Sequence, residues 1–190
     1  MSASLLDALC GLQPIPEADQ ALLTAAWQPR SLAAGATLLA AGSVCRELFF
    51  IQQGVVRLLL LQPDGRELVY YFLQENQFCT ELVSFTTQAP AGLSIQAIGP
   101  LRVLAISKQR LEALYGQLPY LPALLSQVLQ QGLLDKLAVR RAYLGQDSTA
   151  RYQQFLHRQP DIARRVPLAD VASYLEVTPQ SLSRIRRHVR

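Results

Sequence analysis

Arginines at 184, 186, 187 and 190 crowd the closing stretch "VTPQSLSRIRRHVR". A guanidinium is always charged and presents a planar fork of donors. It therefore suits bidentate bonds to phosphate oxygens or to guanine O6 and N7. Gln180 offers the paired donor and acceptor that match adenine. Thr178, Ser181 and Ser183 add short hydroxyls. Residue type alone leaves two readings open: a surface for a polyanion, or a solvated basic face.

The distribution of charge narrows the choice. The net charge of +4 is spread unevenly over 190 residues. Residues 151–190 hold eight arginines (151, 158, 164, 165, 184, 186, 187, 190) against Asp161, Asp170 and Glu176, whereas the rest of the chain is nearly neutral. Concentrated arginine is what a polyanion binder needs, because each phosphate contact releases condensed counterions.

The apolar residues around these arginines have a defined spacing. Val171, Ala172, Leu175, Val177, Leu182 and Ile185 match the inner positions of a helix-turn-helix. Val171 and Leu175 supply one helix's inner face, Ala172 is small where the helices cross, and Val177 plugs the turn. Leu182 and Ile185 line the second helix. Thr178 is a good N-cap and Pro179 suits the first helical position. With that inner face set, Gln180, Ser181, Ser183, Arg184 and Arg187 point outward. Arg184 and Gln180 are candidates for base edges; Thr178, Arg186, Arg187 and Arg190 are candidates for phosphates. One residue of such a turn usually has positive φ and is glycine; here it is Glu176, which implies local strain or a shifted turn. A plain structural helical hairpin is the competing reading.

The elements upstream must carry this unit. Leu5, Leu6 and Leu9, then "IPEADQALLTAAW", read as short helices. From 31 to 107 the texture is β: "ATLLAAG", "ELFFIQQG", "VVRLLLLQ", "RELVYYFL", "LSIQAIG" and "LRVLAIS" lie between glycine and proline turns, which predicts a sandwich or barrel. "QPDGRE" predicts a hairpin turn, and Gly54 another turn. Residues 108–116 read as a short helix. A long helix follows from about Pro119 to Leu144, with Leu121, Leu125, Val128, Leu129, Leu133, Leu137 and Leu144 at steps of three and four. So long a helix outruns a small β domain, and a second copy of itself is one partner for its stripe. A rigid linker packed on its own domain is the other reading, and Gly132 would permit close approach of two helices. Asp147 or Ser148 caps the next helix, which Pro160 ends.

Other chemistries find little support. Cys10, Cys45 and Cys79 form no CxxC pair, and His157 and His188 lack neighbours at ligand spacing, so neither a disulfide framework nor a metal site is expected. The β region has no histidine, and no catalytic constellation is evident, so an enzyme is not expected. The N-terminus lacks a basic n-region and no apolar run approaches a membrane span, which predicts a cytoplasmic protein with no membrane partner.

At this point the chain resembles a known family. "ELFFIQQGVVRLLLLQPDGRELVYYFL" is similar to the strand–glycine–strand–turn–strand stretch of the Crp/Fnr regulators, and "VASYLEVTPQSLSRIRR" resembles the DNA-binding motif of one branch. The resemblance implies an α+β architecture. It comprises a cyclic-nucleotide-binding-like β jelly roll as effector domain (1–118), a long dimerisation helix (119–145) and a helix-turn-helix domain (146–190). It implies a homodimer on a near-palindromic site in double-stranded DNA, with RNA polymerase as a further partner. A wing of two strands normally follows the recognition helix; the sequence ends at Arg190, so the wing is not expected.

The resemblance also places an effector pocket at Glu81, Ala91 and Gly92. Glu81 matches a ribose-binding glutamate and equally suits a helix cap. Thr80 stands where the family has glycine, and Ala91 and Gly92 stand where the family has the Arg-Ser pair that holds a cyclic phosphate. A buried phosphate without its arginine loses its charge partner, so weak or no cyclic AMP binding is expected. The cysteines and histidines are placed for neither an iron–sulfur cluster nor a haem, and the effector stays open. A small-molecule sensor whose rear domain docks a protein is the alternative function.

Overall fold

A computed structural model describes residues 4–189. Two short helices lead in, α1 (Leu5–Cys10) and α2 (Glu17–Ala26). Ser4 and Asp7 form a capping box on α1, while Leu5, Leu9, Leu23 and Ala26 are buried.

Eight strands then build a sandwich: β1 (Gln28–Leu32), β2 (Thr37–Leu39), β3 (Glu47–Gln53), β4 (Val56–Leu61), β5 (Glu67–Leu73), β6 (Phe78–Cys79), β7 (Leu93–Ala97) and β8 (Leu101–Ser107). One sheet has the order β1-β8-β3-β6 and the other β2-β7-β4-β5. Inward residues from both sheets, among them Phe50, Ile51, Leu58, Phe72, Ile95 and Ile106, fill the space between. The β4–β5 hairpin closes at the Pro-Asp-Gly turn. Gly65 there takes φ 83°, and Asp64 Oδ1 accepts from the Arg66 amide at 3.0 Å. Gly54 has φ 105°, and a Cβ on it would lie 2.7 Å from the Pro100 carbonyl oxygen, so no other residue fits.

β5 is an edge strand with one irregularity. Its register to β4 shifts between Leu58↔Tyr71 and Leu59↔Val69, which leaves Tyr70 as a bulged residue. Successive side chains of a regular strand face opposite ways. A bulge relaxes that rule, and Tyr70 and Tyr71 both reach the same cavity.

The remaining helices are α3 (Leu82–Thr87), α4 (Lys108–Tyr115), α5 (Leu121–Tyr143), α6 (Ser148–Arg158), α7 (Pro160–Arg165), α8 (Leu168–Tyr174) and α9 (Pro179–His188). At 23 residues, α5 is about 34 Å long. Its first turn is sunk in the core at Leu121, Leu124 and Leu125. Further along, Leu133, Leu134 and Leu137 are 49%, 51% and 56% exposed. Asp147, one of the two expected caps, accepts from the Ala150 amide at 2.8 Å. Pro160 does more than end a helix: it also occupies the first turn of α7.

The rear helices are locked to the sandwich. Tyr174 of α8 meets the rings of Tyr71, Phe72, Tyr143 and Phe155 at 6.3, 5.0, 5.9 and 5.8 Å. Burial raises its phenol pKa far above the ordinary value, and its hydroxyl lies 3.1 Å from Gln159 Oε1. Along the exposed edge of β5, the Val69 amide donates to Ser173 Oγ at 2.9 Å. Arg57 of β4 pairs with Asp170 of α8 at 2.6 Å, and Arg165 of α7 makes two bonds to Glu75 at 2.7 and 2.8 Å.

Candidate nucleic-acid interface and effector cavity

The two rear helices form the seat of the first candidate site. Val171, Ala172, Leu175 and Leu182 are buried, and Val177 and Ile185 pack against them. All six positions read from the spacing thus share one small core. Glu176 has φ 56°, the left-handed conformation expected of the turn, and its carboxylate lies 3.6 Å from Arg140 of α5. Thr178 caps α9: its Oγ1 accepts from the Ser181 amide at 3.1 Å and donates to Ser181 Oγ at 2.9 Å. That hydroxyl is therefore already committed within the cap.

The outer face of α9 is arranged for contact. Gln180, Ser181, Arg184, Arg186 and Arg187 are exposed, and Ser183 is half-buried. Among the described residues, Arg184, Arg186 and Arg187 make no ion pair. Other arginines are engaged, such as Arg165 with Glu75 and Arg57 with Asp170. Arg190 lies outside the described residues. The exposed cations of α9 thus face solvent without partners, on a helix whose opposite side is fixed by Leu182.

The second candidate site is a cavity of about 540 Å³ between the sandwich and α5. Leu58, Leu73, Phe78, Leu93, Val128 and Leu129 give it an apolar wall, and Tyr70 and Tyr71 stand on it. Glu81 lines it, but its Oε2 accepts from the Ser84 amide at 2.6 Å and caps α3. Thr80 also lines it, with its hydroxyl donating to the Glu47 carbonyl at 3.0 Å. Ala91 and Gly92 are not among the described lining residues. Ala91 is buried, its amide donating to the Ser43 carbonyl at 2.8 Å, and Gly92 is exposed. Of the three effector residues expected from sequence, the structure brings only Glu81 to the cavity.

Sequence reasoning missed the cavity's cation. Lys136 enters from α5, half-buried, with its ammonium 5.5 Å from the Tyr71 ring centroid. Burial holds its pKa below the ordinary lysine value. The signal was present: Lys136 sits four residues after Gly132 and seven after Leu129, on the stripe that packs inward. Gly132 lies on the same side, lining the cavity. Burial also pushes the Tyr71 phenol up to about 12. Among the described residues, no group of three or more His, Cys, Asp or Glu comes together as a metal site would require, and no helix is long and apolar enough to cross a membrane.

This combination defines a class of fold: a β roll, a long helix along its mouth and a helix-turn-helix behind it. Residues 29–117 match the cyclic nucleotide-binding domain family. The chain is similar in fold to the c-di-GMP responsive global regulator CLP of Xanthomonas campestris, with a TM-score of 0.74 and 18% identity over 92% of this chain and 91% of that one. FixK2 of Bradyrhizobium japonicum gives 0.73 and 16% identity over 86% and 84%. A transcriptional regulator of the Crp/Fnr family from Eubacterium rectale gives 0.70 and 15% identity over 92% and 83%. No curated protein sequence matches the chain. Residues 29–117 thus match the cyclic nucleotide-binding domain family, and the chain is similar in fold to these regulators.

Proposed function

We propose that the protein is a sequence-specific regulator that binds double-stranded DNA as a homodimer and acts on transcription by recruiting or blocking RNA polymerase. The observation that carries this reading is the outward face of α9: exposed arginines without ion-pair partners among the described residues, on a helix seated by Leu182. A recognition helix needs that arrangement, with polar groups near its N-terminus for base edges and cations further along for phosphates. The fold's likeness to a Crp/Fnr regulator supports it. Arg184 and Gln180 are assigned to bases and Thr178, Arg186, Arg187 and Arg190 to phosphates, with Ser181 and Ser183 on the same outward face.

The homodimer reading rests on α5. Leu133, Leu134 and Leu137 are half exposed along it, with Leu133 at the rim of the cavity that Val128, Leu129 and Lys136 also line. A second α5 covers such a stripe at little entropic cost. Leu133→Glu places a charge in that seam and is expected to give monomers in sedimentation; an unchanged dimer rejects the seam.

Cyclic AMP is not the proposed effector, because the positions matching the phosphate-holding pair are Ala91 and Gly92 and neither carries charge. Selection of bound fragments from random DNA tests the function. Enrichment of a two-fold site with half-sites about one helical turn, roughly 34 Å, apart is expected. Recovery of no enriched sequence contradicts the reading.

A further inference from the structure

We propose that the cavity between the β roll and α5 binds a small apolar monocarboxylate, with Lys136 supplying the charge that holds it. This rests on reading the β roll as the effector module of a regulator. It names the chemical class of effector that the module takes.

Size and lining come first. At about 540 Å³, the cavity is within the roughly 300–1,000 Å³ typical of small-molecule sites. Its wall of leucine, valine, phenylalanine and tyrosine suits an aryl or alkyl body, with the polar lining residues, Lys136 among them, left for one charged end.

Charge decides the rest. Lys136 is half-buried on the inner face of α5 and makes no ion pair among the described residues. Glu81 attracts the ammonium only from beyond ion-pair distance, so its partial desolvation is costly, and an anion from the ligand offsets that cost. Glu81 and Asp135 line the same cavity, and each already holds a donor: Glu81 accepts from the Ser84 amide at 2.6 Å and Asp135 from Gln131 Nε2 at 2.8 Å. One point charge matches a monoanion. A phosphate would need further donors, yet the Ala91 amide is already bonded to Ser43.

The location also explains how occupancy reaches the rear helices. Lys136 sits over Tyr71, whose ring meets Tyr174 of α8 at 6.3 Å. An anion on Lys136 draws the ammonium and bears on Tyr71. The helix-turn-helix is packed directly against that ring.

Calorimetric titration of the full chain with 1-naphthaleneacetate, its neutral analogue 1-naphthaleneacetamide and cyclic AMP tests the proposal. The acid is expected to bind at least about tenfold more tightly than the amide or cyclic AMP. Lys136→Gln should abolish that preference while leaving amide binding unchanged, and Lys136→Arg should retain much of it. Unchanged amide binding shows that the Gln variant is folded. Equal affinity for acid and amide, tighter cyclic AMP binding, full acid binding by Lys136→Gln, or no binding of the acid at millimolar concentration overturns the proposal. DNA binding is read on the same samples. Its absence beside Lys136-dependent acid binding would sink the regulator reading and leave the ligand class standing.

Discussion

The outer face of α9 and the cavity beside α5 handle positive charge in opposite ways. On α9 the arginines are exposed, unpaired among the described residues and spread along one helix. In the cavity a single lysine is half-hidden, surrounded by apolar wall and stacked near an aromatic face. Exposed cations cost little to keep in water and gain by displacing counterions from a polyanion. A hidden cation is costly to keep, so it favours one small anion that fits beside it. On the proposed reading, the same charge sign suits an extended partner at one site and a compact one at the other.

The comparison breaks first if α9 loses its seat. Leu182 is fully buried beneath the helix, and Leu182→Ala should cost about 2–5 kcal/mol of local stability. Hydrogen exchange is expected to rise in α8 and α9 while the sandwich and its cavity stay protected. Uniform loss across the molecule would mean that the two regions do not behave separately.

A smaller effect separates the roles along α9. Arg184→Ala should cost about 1–3 kcal/mol at its matched base pair and relax specificity there, whereas Arg187→Ala should weaken binding to all sequences alike. Competition against a panel of single-base variants distinguishes them. If Arg184→Ala leaves the preference intact, the base-reading role is wrong.

The join between the regions is sensitive to acid. Hydrogen bonds from Arg165, helped by the Gly54 amide at 2.6 Å, hold the Glu75 carboxyl at about 2, below its ordinary 4.5. The folded pKa is depressed, so this contribution is fully present above about 4.5 and is lost as pH falls towards about 2. The pair is partly exposed to solvent, so the effect is modest. Glu75→Gln should flatten that part of the pH–stability curve, and an unchanged curve would contradict the assignment.

The smallest effect lies in the turn. Glu176 has positive φ, which glycine adopts without strain. Glu176→Gly is therefore expected to stabilise the rear unit by about 0.5–1 kcal/mol, less whatever the exposed pair with Arg140 contributes. Thermal unfolding would register the shift; destabilisation would mean that the pair matters more than the backbone.

The rear unit was legible because its signals are local. The six apolar positions, the Thr178 cap and the strained turn residue all fall within about fifteen residues of one another, and helical periodicity orders them. Six of the β strands were legible from their turns; β1, polar and mostly exposed, and β6, only two residues long, show no such pattern. What escaped depends on contacts distant in sequence. Nothing near Tyr70 announces the bulge that aims both tyrosines at the cavity. Arg57 and Asp170 lie 113 positions apart. Lys136 reads as one more surface lysine on a long helix until the roll is folded beside it. The leucines of α5 read as one stripe; in the fold, Leu121 and Leu125 are buried, Leu133 sits half exposed at the cavity rim and Leu137 is exposed.

Binding of the full chain to its selected duplex across a salt series tests the central claim most directly. If α9 docks through its arginines, the logarithm of the association constant falls linearly with the logarithm of salt concentration, losing orders of magnitude between about 50 and 200 mM, and Arg187→Ala lowers the slope by about one. A salt-independent affinity, or a slope that Arg187→Ala leaves unchanged, would contradict the assignment of that face to DNA.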